Sequence, residues 1–201
     1  MSSYQIPAAR HQVELIIKNS RFLTTIAHTP DKASADAFVQ EMRVEHPSAN
    51  HNCWAFVAGK PDDSRLRGCS DDGEPKGTAG RPMLNVLSHS GLGEISVVVT
   101  RYFGGIKLGT GGLVRAYSQA VREGLESLPL ATVIPKSPLR LSADFAMTGQ
   151  LEHLLSQYDV QVIQRDWQEQ LLIEGEIELT RLEEFQEALQ PYPGITLLSC
   201  E

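Results

Sequence analysis

The sequence predicts an α+β protein in two parts: a mixed part over residues 1–132 and a ferredoxin-like βαββαβ domain over residues 133–201. Segments with strand and helix periodicity follow one another in that order through the last third. The charge changes at the same place: residues 1–130 carry 14 Lys/Arg against 13 Asp/Glu, and residues 131–201 carry 4 against 12. Between the two parts, Pro129, Pro135 and Pro138 mark a hinge over residues 129–138.

In the first part, residues 13–17 and 22–27 read as paired strands joined by Lys18-Asn19-Ser20-Arg21. Asp31 is the N-cap of a helix that runs to Glu45, with Ala35, Phe38, Val39 and Met42 on one face. His46-Pro47 ends it, residues 53–58 return as a strand, and Gly59-Lys60-Pro61-Asp62-Asp63 turns the chain. The loop SDDGEPKGTAGRP, residues 70–82, leads to a helix through Met83, Leu84 and Leu87. Residues 94–100 form a buried strand, which feeds a second glycine-rich loop and then a helix ending near Leu128.

The tail is read the same way. Residues 138–145 alternate polar and apolar side chains, as a strand does. In MTGQLEHLLSQY, residues 147–158, Leu151, Leu154 and Leu155 share a helical face and Thr148 is the N-cap. Residues 160–167 and 171–179 are strands joined by Gln168-Glu169-Gln170. Thr180 and Glu183 have the spacing of a capping box, and Phe185 and Leu189 mark the buried face of the second helix. Pro191-Tyr192-Pro193-Gly194 stops it before a last strand, ITLLSC, residues 195–200.

Of the 201 residues 41 % are hydrophobic, enough for a core, yet no apolar run nears the roughly 20 residues of a bilayer span. The opening MSSYQIPAARHQVEL lacks the basic start and apolar core of a secretory signal. Cys53, Cys69 and Cys200, an odd number at irregular spacing, predict reduced thiols, a cytoplasmic location and no membrane partner. From residue 76 to residue 122, six basic side chains (Lys76, Arg81, Arg101, Lys107, Arg115, Arg122) stand against Glu94 alone. An anionic partner would meet this middle stretch, because the acidic tail repels a phosphate backbone.

The second loop, in VVVTRYFGGIKLGTGGLVRAYSQAV, places Gly104, Gly105, Gly109, Gly111 and Gly112 between a strand and a helix. Free N–H groups and the positive helix end meet the physical needs of an anion site, with Arg101, Lys107 and Arg115 supplying charge. The loop lacks the G-K-[ST] ending of a P-loop and the G-x-G-x-x-G order of a dinucleotide site. The same glycines would equally let helices pack closely on a sheet or shape a bulge. Tyr102 and Phe103 beside Arg101 suit stacking on an unpaired base, although one of the two is expected in the core.

Asp71, Asp72 and Glu74 raise a divalent-metal reading, but their spacing does not match the calcium loop, and a solvated turn is the preferred expectation. His46, His51 and Cys53 do not have a zinc spacing, and Cys53-Trp54 is expected to fill the core. No base stands beside Ser70 or Cys69 to activate a nucleophile. No catalytic residue and no cofactor is assigned, and enzyme activity is the less favoured class.

Three stretches, NCWAF (residues 52–56), SDDGEPKGTAGRPML (residues 70–84) and VTRYFGGIKLGTGGLVRAYSQAV (residues 99–121), together resemble the IMPACT family in its bacterial, YigZ-type form. The resemblance is strong over residues 15–125, and the acidic tail is similar to the second domain of bacterial members. It implies that residues 1–132 form an α/β sandwich like the second domain of a small-subunit ribosomal protein and domain four of elongation factor G. It also implies that the tail resembles the ferredoxin-like domains of that factor, in agreement with the periodicity. Eukaryotic members bind the activator of a starvation-sensing kinase and keep translation initiation active; this chain lacks room for their additional protein-binding domain. The function implied is regulation tied to translation.

Three readings follow. In the first, a translation-associated protein binds RNA or the ribosome through Lys76, Arg81, Arg101, Gly104, Gly105, Lys107, Gly109, Gly111, Gly112 and Arg115. In the second, a regulator works through a protein partner docked on the acidic domain. In the third, an enzyme acts on a phosphorylated small molecule, with Asp71, Asp72 or Glu74 holding an ion.

Overall fold

A computed structural model of the chain describes residues 3–199, and its contacts divide it into two compact units, Tyr4–Val133 and residues 134–199. The N-terminal unit runs β1 (Tyr4–Pro7), β2 (His11–Ile17), β3 (Ser20–His28), α1 (Lys32–Glu45), β4 (His51–Val57), β5 (Arg67–Ser70), α2 (Gly80–Ser88), β6 (Ile95–Tyr102), α3 (Thr110–Glu126) and β7 (Leu130–Val133). Five strands form an antiparallel sheet in the order β2-β3-β6-β4-β5, while β1 and β7 make a separate two-stranded ribbon.

The central strand β6 is apolar almost throughout because both of its faces are covered. Ile95, Val97 and Val99 join Cys53, Ala55 and Val57 against Met83, Leu87, Leu113 and Tyr117 of α2 and α3. Val98 faces the other way, onto Phe38, Val39 and Met42 of α1. The period of two therefore puts His51, Cys53 and Arg101 on the α2/α3 side of the sheet. Helix α1 opens as expected: Asp31 Oδ1 accepts from Ser34 N at 2.7 Å, and Ser34 Oγ accepts from Asp31 N in return. The β2–β3 turn has positive φ at both Lys18 and Asn19, the twist a two-residue hairpin needs.

The C-terminal unit runs β8 (Lys136–Ala143), α4 (Thr148–Gln157), β9 (Gln161–Trp167), β10 (Leu171–Glu178), α5 (Leu182–Leu189) and β11 (Ile195–Ser199). Its antiparallel sheet has the order β11-β8-β10-β9, so the βαββαβ expectation is met. Leu139, Leu141 and Ile173 on the sheet meet Leu151, Leu154, Leu155 and Phe185 on the helices. Cys200, expected at the end of the last strand, lies outside the described residues.

Three local expectations are corrected. Neither Thr148 nor Thr180 caps a helix, because a 3-10 turn precedes each one and occupies the donors a cap would satisfy. Thr148 Oγ1 instead donates to Phe145 O at 2.9 Å, and Thr180 Oγ1 to Glu178 Oε1 at 2.6 Å. Most of the expected hinge is structured, since residues 130–133 pair with β1, from Tyr4 opposite Val133 to Pro7 opposite Leu130. Among the described residues, no helix is long and apolar enough to cross a membrane.

Candidate functional site

The two glycine-rich loops meet where β6 ends and β4 begins, with His51 opposite Arg101 in the register. Gly104 sits so close to the β2–β3 turn that a Cβ there would overlap the carbonyl group of Asn19, a clash only glycine avoids. Ser20 Oγ accepts from Gly104 N at 3.2 Å, and Asn50 Oδ1 accepts from Phe103 N at 2.8 Å, so the start of the loop is held from both sides. The loop then reaches α3 through Gly109, whose φ of +73° sets the helix entry and leaves no capping side chain on the first-turn N–H groups.

Arg101, expected to face an external anion, instead lies inside the protein. Its side chain is 7 % exposed and pairs through Nη1, at 2.5 Å, with Glu74 Oε1, itself 3 % exposed. Tyr117 Oη donates to the same oxygen at 2.9 Å. The guanidinium lies over the rings of Phe22 and Phe103, 5.4 and 5.6 Å from their centroids. Its Nε has no partner among the described residues.

The carboxylates of the acidic loop diverge onto separate partners, and of the three only Glu74 is buried, while Gly73, Pro75, Lys76 and Gly77 remain exposed as a turn. Asp71 accepts backbone N–H groups from Gly77, Ala79 and Gly80 at 2.7, 3.0 and 2.9 Å, capping α2 from nine residues away. Burial alone would raise the Asp71 carboxyl, but these three bonds outweigh it and hold the group below the usual carboxylate range. Asp72 takes Arg43 Nη2 on one oxygen and Asn52 N on the other, both at 2.7 Å. Glu74 alone turns inward. Among the described residues, no group of three His, Cys, Asp or Glu side chains is placed to hold a metal ion.

Neither described thiol is poised for nucleophilic work. Burial pushes the Cys53 thiol far up, and burial with the Asp71 charge raises Cys69. Tyr117 is likewise pushed up, first by burial and then by Cys53 and Glu74, so its phenol stays a hydrogen-bond donor.

A cavity of about 440 Å³ opens over this network, lined by His51, Glu74, Arg101, Phe103, Lys107 and the first residues of α3. It gathers Arg101, Lys107 and Gly109 of the expected set, and Gly111 and Gly112 lie in the adjoining helical turn. Lys76, Arg81 and Arg115 are exposed but do not line it. Among the described residues, Lys76, Arg81, Lys107, Arg115 and Arg122 take part in no ion pair. Phe103 is 46 % exposed and Ile106 47 %, an apolar tip between basic side chains.

Sequence reasoning misses His51 and Tyr117 as members of the site. A tyrosine on the Leu113, Ala116, Ala120 face of a helix is a signal, because a buried phenol needs a polar partner. His51 carries no comparable signal; only its strand register brings it to Glu74.

The Impact N-terminal domain family matches residues 18–125. The chain is 46 % identical over 203 aligned positions to the Escherichia coli IMPACT family member YigZ, covering all of both chains. It is 45 % identical over 168 positions to an IMPACT family member of Haemophilus influenzae, covering 84 % of this chain and 82 % of that one. A solved structure described as that of a hypothetical protein superposes with a TM-score of 0.73 at 45 % identity, over all of this chain and 98 % of the other.

Proposed function

The chain belongs to the IMPACT family, and from that premise we propose that it is a translation-associated regulator that holds RNA or the ribosome through the glycine-loop face. The observation that carries this reading is the joining of three features in one cavity wall: exposed Phe103, unpaired Lys107 and the uncapped start of α3. An aromatic face accepts a base of any kind, and a helix start with a lysine beside it accepts a phosphate. Arg115 and Arg122 extend the positive surface along α3, where a backbone can continue. Arg101 acts beneath this surface, holding Phe103 and Glu74 in place.

Fluorescence anisotropy with a single-stranded RNA over a salt series tests the reading. The log affinity should fall linearly with log salt, and Lys107→Ala/Arg115→Ala should flatten the slope by about 1.4, two phosphates at about 0.7 each. An unchanged slope removes this face from the function.

A second reading is favoured by Phe145 and Trp167 of the acidic unit, which stack at 6.0 Å and are both more than half exposed. An aromatic pair amid carboxylates suits a basic protein partner. Phe145→Ala/Trp167→Ala should then weaken ribosome association and leave binding of free RNA intact.

A further inference from the structure

Two groups in the cavity go beyond what general RNA binding needs. His51 Nδ1 lies 2.9 Å from the carbonyl oxygen of Asp72, a contact only an N–H can make, so Nδ1 carries the hydrogen. In the neutral ring Nε2 is then a bare acceptor, and it stands 3.9 Å from Glu74 Oε2. Glu74 is 3 % exposed; its Oε1 already takes Arg101 and Tyr117, while Oε2 accepts no hydrogen bond among the described residues. Two acceptors beside one cavity, one of them the open oxygen of a carboxylate side chain that is otherwise 3 % exposed, suit a donor from a ligand. The same cavity also has the opposite demand, with Lys107 and the N–H groups at the start of α3, which no side chain caps, inviting an anion.

We propose that this cavity is a ribose-phosphate site, in which one sugar hydroxyl shares its single hydrogen between Glu74 Oε2 and His51 Nε2, 3.9 Å apart, while the phosphate rests on the start of α3 and Lys107. Its volume, about 440 Å³, falls within the range of about 300–1,000 Å³ typical of small-ligand sites. Phe103 gives the attached base a face to stack on. The ligand class is a ribonucleotide, either free or as a nucleotide of an RNA strand. The inference rests on the RNA reading only for the second source, where it makes the protein selective for RNA over DNA through the sugar hydroxyl.

Paired ligands separate the sources: AMP against 2′-dAMP by titration calorimetry, and a short oligo(rA) against the matching oligo(dA) by anisotropy. Wild type should prefer the ribose form about tenfold in at least one pair, the worth of one hydrogen bond to a charged group. His51→Ala should bring that preference down to about twofold and leave affinity for the deoxy form unchanged. Glu74→Gln should also lower the preference, read as the ratio of ribose to deoxy affinity, and a thermal melt of each variant establishes that it folds. Ribose-selective binding of AMP without oligomer binding upholds the cavity proposal and ends the RNA reading. Equal, salt-sensitive binding of both oligomers with no nucleotide binding upholds the RNA reading and overturns the cavity proposal. A preference that survives in folded His51→Ala overturns it as well.

Discussion

Arg101 and Glu74 in the N-terminal unit form an ion pair with side chains 7 % and 3 % exposed, while Arg165 and Glu152 in the C-terminal unit form one at 42 % and 43 %. The first joins residues 27 apart, one on β6 and one in the acidic loop; the second joins residues 13 apart on neighbouring elements. Water screens the exposed pair, so either partner is dispensable. The buried pair has no such alternative: each charge depends on the other, on Tyr117 and on the neighbouring rings. The chemistry of this protein is concentrated where distant segments must meet, and the C-terminal unit is built from local pattern.

The largest expected effect breaks that contrast most directly. Arg101→Ala leaves a buried carboxylate uncompensated and should cost about 3–5 kcal/mol in urea unfolding, whereas Arg165→Ala should stay within about 1 kcal/mol. Replacing both partners, as Arg101→Met/Glu74→Leu, should cost less than Arg101→Ala alone, since no charge is stranded. Equal effects at Arg101 and Arg165 would dissolve the distinction between the units.

Glycines sharpen it next. Gly104→Ala forces a Cβ into the backbone of Asn19 and should destabilise by about 1–3 kcal/mol or more. A methyl group added at Gly149 in α4 would meet nothing within 4 Å, and the backbone there has no positive φ. Gly149→Ala should therefore stabilise by about 0.4–1 kcal/mol. Thermal melts of the two variants should shift in opposite directions.

A third difference depends on pH. The Asp71 carboxyl titrates below its usual value, so its stabilisation is present above the unfolded pKa of about 4 and is lost as pH falls through the lower folded value. Asp71→Ala should cost about 1–3 kcal/mol at pH 7, and its gap to wild type should narrow as pH falls below the unfolded pKa of about 4. A gap that is constant with pH would mean that the carboxylate charge plays no part in capping α2.

The C-terminal unit is legible because its signals are short-range. Alternation along residues 138–145 and the Leu151, Leu154, Leu155 stripe are visible within a dozen residues. Its helix starts are not, since a 3-10 turn and an N-cap draw on the same residue types. In the N-terminal unit β1, β5 and β7 are four residues each, too short for a period to register. The glycine loops stand out as motifs, and the exposure of Lys107 follows from its place in one of them. The burial of Arg101 is hidden, because nothing near it in sequence announces Glu74, 27 residues away, or Tyr117, 43 residues from Glu74. Asp71, Asp72 and Glu74 look alike in the sequence and part only when Gly73 and Gly77, both at positive φ, turn the chain around them.

The face carrying Phe103 and Lys107 is, on this reading, the one that meets the translation machinery. Co-sedimentation of the full chain with ribosomes over a salt series, beside Phe103→Ala/Lys107→Ala, tests it most directly. Wild type should show saturable, salt-sensitive association that drops at least about tenfold in the folded double variant, one stacked base and one phosphate removed. Association of the variant equal to wild type at every salt concentration would contradict it.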